Sequence, residues 1–465
     1  MRGFCFGRAA LVAAVLCVAT YPPSEASAAG GSMRGAPSPS WAAEWTGLGD
    51  DGRMSTAANW LNGQVPAAGD DLDFSAVSSD ITVNADIDAA FGNVVMGDGT
   101  VTFTGSLTAT AFTDTSKIAV AADATVTFNG NLETTTRYVV QSIAEGGQFI
   151  VTGDLTAKGD LEVFANSNAG SFIVRGILKM TCGQSPTWLS RSGDASATVM
   201  FGGLEMMTAG KRLWLFAPAI AVGTGGLDVF DTGATPTFRY SPTLYALGRE
   251  YAINSTHGKG EYLMYNDSRP TLNTTQYGTE NVAATVTVNA ALKNYPKDRG
   301  GINVTGCGRV VFNSVSTFTL GLVVSDTATV AVNPGMRPGS GTVTVNNGAT
   351  LEVAQSGTVA LAGGLTLADG AALGFNFTEK NTKPVLNVTG KTVTLGENGA
   401  VSVKVSAADG IRPKGGAHVL TSGGKFAGAT VSLAAGAPDW VKGVSVVDGD
   451  IVLEAKPIGF KLIVK

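Results

Sequence analysis

The sequence predicts an all-β protein that winds as a right-handed parallel β-helix, and one repeated phrase is the main reason. An apolar strand, a glycine and a second strand that starts at leucine recur five times, with a weaker sixth copy. Successive glycines are 25, 23, 23, 26 and 23 residues apart. A fixed period of this size indicates a solenoid in which each repeat packs only on its neighbours. The copies occupy residues 101–107, 126–132, 149–155, 172–178 and 198–204, and the sixth ends at Leu227.

The phase of this repeat predicts how the side chains stack. If each repeat is one coil, residues at the same phase lie above one another in neighbouring coils. The leucine that follows each glycine is therefore expected inside, in a single buried ladder. The five leucines are Leu107, Leu132, Leu155, Leu178 and Leu204.

The composition agrees with a chain of short strands. Glycine accounts for 61 of 465 residues, and charged residues make up 15% of the chain, against roughly 25% in ordinary domains. This mixture favours strands and tight turns over helices. The net charge of −5 provides no basic surface for nucleic acid or for an anionic membrane, so neither is an expected partner.

The first 28 residues have the pattern of a secretory signal peptide. Arg2 and Arg8 supply the positive start, residues 9–20 form the apolar stretch, and Ala26-Ser27-Ala28 is a small-residue cleavage site. No later stretch is long and apolar enough to cross a membrane as a helix. We therefore expect a secreted or extracellular surface protein, which is at least periplasmic.

Residues 29–80 are expected to form a flexible lead and an N-terminal cap. A solenoid has to cover the open end of its core, and Trp45 and Trp60 stand before the first coil. We favour a cap, with a sugar-stacking platform as the alternative.

Regular coils are predicted for residues 81–235 and again for residues 302–381. The rhythm of the strands changes from residue 382 onward. Asp448-Gly449 lies between two alternating stretches and is a strong hairpin signal. Residues 382–465 are therefore predicted to form an antiparallel C-terminal cap, which would keep the last coil from pairing with another molecule.

Residues 236–301 interrupt the period and are rich in tyrosine. One interpretation is irregular coils or an insert whose protruding loops bind a ligand, as repeat proteins often arrange. The other, which we favour, is that the tyrosines stack in register on a pleated face. The seven tyrosines are Tyr240, Tyr245, Tyr251, Tyr262, Tyr265, Tyr277 and Tyr295.

Two motifs resemble the autotransporter-associated β-strand repeat. The first runs as Gly-x-Gly-Arg-Val-Val-Phe from Gly306, followed by Gly-Thr-Val-Thr-Val-Asn-Asn-Gly-Ala-Thr-Leu from Gly341. The resemblance implies a passenger-like β-helix that is secreted or displayed at a bacterial surface, often as an adhesin. No translocator barrel, with its ten-residue strands and aromatic girdles, is recognisable in the sequence. The second motif is similar to the start of such proteins and comprises Trp45, Gly47, Asn59, Trp60, Gly63, Pro66, Asp70, Asp71 and Phe74.

Carboxylates provide the nearest candidates for catalysis on polysaccharides. Hydrolysis of a glycoside needs two carboxyl groups at a defined separation. Asp228, Asp231 and Asp267, with Arg269, are the residues that come closest. All lie beside glycine or proline turns, where aspartate is common for backbone reasons, so no catalytic residue is predicted.

Metal and cofactor sites are not predicted either. Asp70, Asp71 and Asp73 offer oxygen ligands for calcium, but their spacing lacks the ligand count and the glycine position of a dedicated loop, so a turn and a strand are preferred. His257 and His418 are the only histidines and fall in different modules. Phosphate-binding and paired-cysteine motifs are lacking in the sequence.

The function expected from these features is structural or adhesive and does not include catalysis. The expected partners are glycans or components of a cell surface or matrix. The alternative is a carbohydrate-binding or polysaccharide-degrading β-helix that uses the tyrosine-rich stretch.

Cys182 and Cys307, the two cysteines beyond the leader, are predicted to be unpaired. They lie about five coils apart, which is roughly 25 Å at the usual strand spacing, and a disulfide needs Cα atoms within roughly 7 Å. Thiol titration of the denatured, unreduced protein should find two free thiols per chain after leader cleavage. A monomer without free thiols would contradict the coil count.

Overall fold

The computed structural model confirms an all-β parallel β-helix. A typical coil contributes three short strands to three faces, and each strand pairs in parallel with its counterpart in the next coil. The described part of the chain contains no α-helix and three short 3₁₀ turns, at Ala57–Asn59, Leu61–Gly63 and Thr115–Lys117. The structure describes residues 42–135, 138–158, 162–164, 170–181, 187–188, 198–207, 212–215, 219–229, 235–238, 241–255, 261–265 and 267–457.

The faces are numbered in the order in which each coil visits them. The first face holds Ala42–Glu44, Asp71–Phe74, Ala90–Met96, Thr125–Phe128, Gln148–Val151, Thr243–Ala246, Thr271–Gln276, Gly301–Thr305, Gly321–Val324, Val343–Val345, Leu365–Leu367 and Val393–Leu395. The second face holds Leu132–Thr134, Leu155–Ala157, Glu250–Asn254, Thr285–Val288, Arg309–Phe312, Thr329–Val332, Thr350–Val353, Ala371–Phe377, Ala400–Ala407 and Thr430–Leu433. Three longer strands turn the corner and serve both faces: Ser171–Met180, Thr198–Met206 and Ala219–Val229.

The third face is made of shorter strands that close each coil. Its members are Tyr138–Val140, Glu162–Phe164, Thr187–Trp188, Arg212–Leu215, Thr235–Phe238, Glu261–Met264, Ala291–Asn294, Val315–Ser316, Arg337–Pro338, Gly357–Ala360, Pro384–Asn387 and Thr421–Ser422. An additional ladder near the N-terminal end joins Ile81–Ala85, the start of Val101–Phe112, Ile118–Val120 and Ser142–Ile143. An antiparallel sheet of Gly416–Val419, Asp450–Ala455 and Val441–Val447 closes the C-terminal end.

Two ladders of stacked apolar side chains fill the core. On the second face, Leu132, Leu155, Leu178 and Leu204 lie in register and continue into Leu227. All five are buried. The first-face ladder runs through Val126, Phe149, Phe172, Val199 and Ile220, and two of its aromatic rings, Phe149 and Phe172, stack with centroids 5.7 Å apart.

The prediction that Leu107 belongs to the leucine ladder is wrong. Leu107 is buried, but it pairs with Val126 and so starts the first-face ladder. The reason is that the glycine bend of this copy falls at a different corner. Gly105 takes φ 76° in the middle of strand Val101–Phe112, whose start pairs with Ile118–Val120 and whose later part pairs with Thr125–Phe128. The same phrase therefore turns onto the first face here and onto the second face in later copies.

Close approach between coils explains why glycine recurs at this corner. A Cβ added to Gly153 would lie 2.7 Å from the carbonyl oxygen of Gly130, and one added to Gly202 would lie 2.7 Å from that of Gly176. Gly153, Gly176 and Gly202 thus each lie against the corner glycine of the preceding coil, and a side chain at any of these three would push the coils apart.

The solenoid extends further than predicted at both ends. Parallel pairing begins with Ala42–Glu44 on Asp71–Phe74, inside the expected cap module. At the other end, parallel coils continue to Thr430–Leu433, and the antiparallel cap expected from residue 382 begins only at Gly416. Parallel and antiparallel strands both alternate inward and outward side chains. The change in strand spacing after residue 382 therefore did not indicate whether the strands pair in parallel or antiparallel.

The N-terminal end is covered by a cluster of aromatic rings. Trp45 and Trp60 meet edge to face at 4.9 Å, and both contact Phe74, which packs on Phe103 of the first coils. The indole nitrogen of Trp60 donates to the Met54 carbonyl at 2.7 Å. The tryptophans are 6% and 2% exposed, which leaves no ring face for a sugar and supports the cap over the stacking platform.

The C-terminal end is covered in a similar way. Trp440 is buried and meets the ring of Phe377 edge to face at 5.4 Å. Val441, Ile451 and Leu453 of the antiparallel sheet complete the apolar cover. Because both ends of the core are covered, the stacked ladders have no open apolar end within the described residues.

The ladder assignment predicts which leucines are coupled energetically. Leu155→Ala and Leu178→Ala should each lower the free energy of unfolding by about 2–5 kcal/mol, since each leaves a cavity in the core. Because the two side chains are stacked neighbours, the double variant should deviate from additivity by about 0.5 kcal/mol or more. Urea-induced unfolding measures each value.

Leu107→Ala combined with Leu178→Ala is the control for this double-mutant cycle. These leucines lie on different ladders and three coils apart, so their effects should add within about 0.5 kcal/mol. A coupling in the control pair that equals that of Leu155 with Leu178 would contradict the assignment.

Candidate functional site

The described part of the tyrosine-rich segment consists of parallel coils that continue the solenoid, one of them lengthened by a hairpin. Its strands on each face pair in parallel with those before and after them. Tyr251 and Tyr262 point inward and are 2% and 1% exposed, so two of the candidate binding tyrosines belong to the core. Burial raises the pKa of both hydroxyls above the usual range, and the nearby charge of Asp228 adds to the effect at Tyr262.

Four other tyrosines form two half-buried pairs. Tyr245 and Tyr277 meet edge to face with centroids 5.3 Å apart, and Tyr265 and Tyr295 do so at 5.1 Å. Both pairs join residues of neighbouring coils. They meet edge to face, and the register partner of Tyr245 is Asn273 rather than Tyr277, so the in-register tyrosine stack that was expected is not formed by Tyr245 and Tyr277. Tyr240 lies outside the described residues.

A small hairpin carries Tyr277 back along the outside of the coils. Thr275 and Ala283 form an antiparallel bridge, and the Gln276 amide donates to the Val282 carbonyl at 2.8 Å. The Tyr277 hydroxyl lies 3.4 Å from the Thr198 hydroxyl, which is 79 positions earlier in the chain. This hairpin is the protruding element within the segment that the structure describes.

The structure does not bring Asp228 and Asp267 together. Asp228 stands on the outer side of the second face, in register between Glu205 and Asn254. Asp267 lies in the turn after third-face strand Glu261–Met264, where it pairs with Arg299 at 3.2 Å. Asp231 lies outside the described residues.

Arg269 has a structural partner. Its guanidinium donates to the Leu320 carbonyl at 2.6 Å, which lies 51 positions further along the chain. The backbone amide of Arg269 donates to the Ser241 hydroxyl at 2.8 Å. This arginine therefore ties coils together and is not directed at Asp228 or Asp267.

The three N-terminal aspartates accept backbone amides, Asp70 and Asp73 within local turns and Asp71 from the next coil. Asp70 accepts the Ala67 amide at 2.8 Å, Asp71 accepts the Asn93 amide at 2.7 Å and Asp73 accepts the Ser75 amide at 2.8 Å. Each carboxylate therefore caps a different stretch of backbone, in agreement with the turn-and-strand interpretation. Within the ranges that the structure describes, no three His, Cys, Asp or Glu side chains are placed to hold a metal ion.

An asparagine ladder was not found from the sequence. The Asn289 amide donates to Asn254 at 2.8 Å, Asn313 donates to Asn289 at 2.9 Å, and Asn333 donates to Asn313. Asn289, Asn313 and Asn333 each follow an inward Val or Phe at the end of a second-face strand. This recurring apolar-Asn pair is the sequence pattern that could have predicted the ladder. Such amide ladders stabilise stacked strands, so their role here is structural.

Two adjoining concavities lie beside the C-terminal cap. One, of about 480 Å³, is lined by Lys380, Lys383, Lys414 and His418 among others. The other, of about 650 Å³, shares Lys414 and reaches Lys442 and Glu454, which pair at 2.8 Å. Sequence reasoning identified His418 alone among these residues and gave it no role. His257, its counterpart in that prediction, lies outside the described residues.

Cys307 is the cysteine that the structure describes, and it is free and partly exposed. Its sulfur lies 3.6 Å from the Thr275 hydroxyl. Cys182 lies outside the described residues, so the prediction about the pair stays a prediction. No helix in the described ranges is long and apolar enough to cross a membrane.

Comparison of the chain with family models, curated proteins and solved structures gave no match. The resemblance to the autotransporter-associated repeat therefore stays a prediction that depends on the quoted motifs.

The two buried tyrosines give a matched test of this core. The Tyr251 hydroxyl has no hydrogen-bond partner among the described residues, whereas the Tyr262 hydroxyl lies 3.4 Å from the Asn254 carbonyl. Tyr251→Phe should leave the free energy of unfolding unchanged or raise it by up to about 1 kcal/mol, because it removes an unsatisfied buried group. Tyr262→Phe should lower it by about 0.5–1.5 kcal/mol. Equal losses in the two variants, measured by urea-induced unfolding, would contradict this difference.

Proposed function

We propose that the protein is a secreted or cell-surface β-helix of structural or adhesive type, which binds glycans or matrix components without turning them over. Secretion is inferred from the leader pattern of residues 1–28, and the surface role from the resemblance to autotransporter-associated repeats. The fold suits the role, because its stability comes from stacked apolar ladders and needs no ligand. Each buried Leu or Val contributes roughly 1.5–3 kcal/mol.

The separate positions of Asp228 and Asp267 are the observation that carries the proposal. A glycosidase needs two carboxyl groups about 5–10 Å apart across one substrate groove. Asp267 is held by Arg299 in a third-face turn, and Asp228 stands in an outward ladder on the second face. Lys179, in the same outward ladder next to Glu205, donates to Asp154 at 2.7 Å, and Asp154, at the preceding corner, also accepts the Ile177 amide at 2.8 Å.

Both contacts keep the pKa of the Asp154 carboxyl below its usual value, the amide contributing most. A carboxyl with a lowered pKa stabilises the folded state above its unfolded pKa, and this contribution disappears as the pH falls through the folded pKa. The contact between Lys179 and Asp154 therefore serves stability, which supports a scaffold more than a reaction centre.

Carbohydrate binding through the tyrosines is the second candidate. The hairpin at Tyr277 favours it, because a half-buried ring on a protruding element can stack against a sugar. Polysaccharide degradation has less support, since it also requires a pair of convergent carboxylates.

A triple variant, Asp228→Ala, Asp231→Ala and Asp267→Ala, tests the non-catalytic role. Wild type and variant should bind the same members of a glycan array or the same cells, and neither should release reducing ends or unsaturated sugars. The reason is that Asp228 lies in an outward ladder and Asp267 pairs with Arg299 in a turn. Turnover by the wild type that disappears in the triple variant would overturn the proposal, and failure of the wild type to bind any glycan, cell or matrix sample would overturn its adhesive part.

A further inference from the structure

The smaller C-terminal concavity gathers positive charge from two successive corners of the solenoid. Lys380 and Lys383 lie on the corner after second-face strand Ala371–Phe377. Lys414 lies on the corner after the next second-face strand, Ala400–Ala407. Coil stacking thus brings together lysines that are more than 30 positions apart in the chain.

The backbones that carry these lysines are fixed in place. The Ser356 hydroxyl accepts the amides of Thr378 and Glu379 at 3.0 and 3.1 Å, immediately before Lys380. The Lys383 carbonyl accepts the Gly357 amide of the preceding coil at 3.0 Å. The lysine ends can move, but their points of attachment are set by the coils.

His418 holds the backbone at Lys414, on the second of the two corners. Its Nε2 lies 2.7 Å from the Lys414 carbonyl, and because a carbonyl only accepts, this nitrogen carries the proton in that contact. The imidazole also meets the Phe377 ring edge to face at 6.3 Å. Next to Lys414, Pro413 is buried, and Arg412 donates to the carbonyls of Lys456 and Pro457 at 3.2 and 2.9 Å.

The three lysines are exposed and form no ion pair with any described residue. Other lysines on the coils are engaged: Lys179 with Asp154, and Lys404 with the Thr350 hydroxyl at 2.9 Å. The lining of the smaller concavity contains no acidic residue. Three ammonium groups that lack an ion pair within the described ranges therefore surround one concavity in a chain whose net charge is −5.

We propose that the cleft bounded by Lys380, Lys383 and Lys414 binds the carboxylate or sulfate groups of an acidic polysaccharide. Ammonium groups bind such oxyanions as point charges, with three donors each. The adjoining concavity shares Lys414, so the cleft suits a ligand longer than a single ion, while at its far end Lys442 is neutralised by Glu454. The proposal deepens the adhesive function proposed above and rests on it.

An acidic glycan fits the cleft better than a nucleic acid does. Single-stranded nucleic acids are bound on aromatic side chains that stack with the bases. The lining residues of the two concavities include no Phe, Tyr or Trp. A nucleic-acid duplex needs a wider basic surface than three lysines provide. The negative net charge of the chain disfavours binding of single-stranded and of duplex nucleic acid.

Calorimetric titration of the full chain tests the proposal. The probes are a uronic acid oligosaccharide, a sulfated oligosaccharide and a neutral oligosaccharide of equal length, with single-stranded DNA of equal charge. The two acidic probes distinguish carboxylate from sulfate as the preferred group. We expect the wild type to bind at least one acidic probe. The triple variant Lys380→Gln/Lys383→Gln/Lys414→Gln should lower the affinity about tenfold, and added salt should lower the wild-type affinity as well.

The matched control removes three exposed or half-exposed lysines outside the cleft: Lys297→Gln/Lys391→Gln/Lys425→Gln. It changes the net charge equally and should retain wild-type affinity for the acidic probe. Thermal unfolding of both variants should match wild type, and Lys414→Gln alone provides a milder variant if the triple one unfolds early.

Three results would overturn the cleft: equal weakening by the control, unchanged affinity in the cleft variant, or stronger binding of the DNA. If the cleft variant still binds the same cells and neutral glycans as wild type, the adhesive function stands without the cleft. If the wild type binds none of the probes, cells or matrix samples, both the cleft and the adhesive function are wrong.

Discussion

In-register stacking of one coil on the next is the interaction on which the rest of the structure depends. A single coil cannot satisfy the hydrogen bonds at its strand edges or bury its inward side chains, and both needs are met by its neighbours. The constraint acts on the ladders and leaves the corners free. From Val126 to Phe149 a coil takes 23 residues, and from Leu272 to Val304 it takes 32, yet the ladder is unbroken. Corners can therefore change in length and composition while the core stays the same.

This division of labour explains where chemistry is found on the molecule. Charged groups in the middle of the solenoid mostly join coils, as in the two-bond contact of Arg309 with Glu352 at 2.6 and 2.8 Å. Next to the C-terminal cap, two adjacent corners instead present lysines that form no ion pair with the part of the chain that the structure describes. The cap that covers the core with Trp440 also shapes the concavities beside it, so the end of the solenoid is both closed and available for binding.

The sequence predicted the architecture well because periodicity is a property of the ladders. Leu132, Leu155, Leu178 and Leu204 could be aligned by eye, since their coils have nearly equal lengths. Leu107 could not, because its glycine bends the chain at another corner and phase alone does not distinguish corners. The lysine cleft was invisible for a similar reason: which corners meet depends on coil lengths that vary, and isolated lysines carry no periodic signal. The predicted end of the parallel region was wrong because side chains alternate inward and outward in parallel and antiparallel strands alike.

The direction of the hydrogen bonds has a mechanical consequence. In this solenoid the bonds between coils run along the axis, so tension applied at the two ends loads each junction in series and separates coils one at a time. The first-face ladder from Leu107 to Leu395 spans only roughly 60 Å at the usual strand spacing. A single released coil of 23 residues would add up to roughly 80 Å of extended chain. A molecule of this kind held between a cell and a matrix would lengthen in steps, each exceeding the length of the folded ladder, and would keep its remaining coils intact at every step.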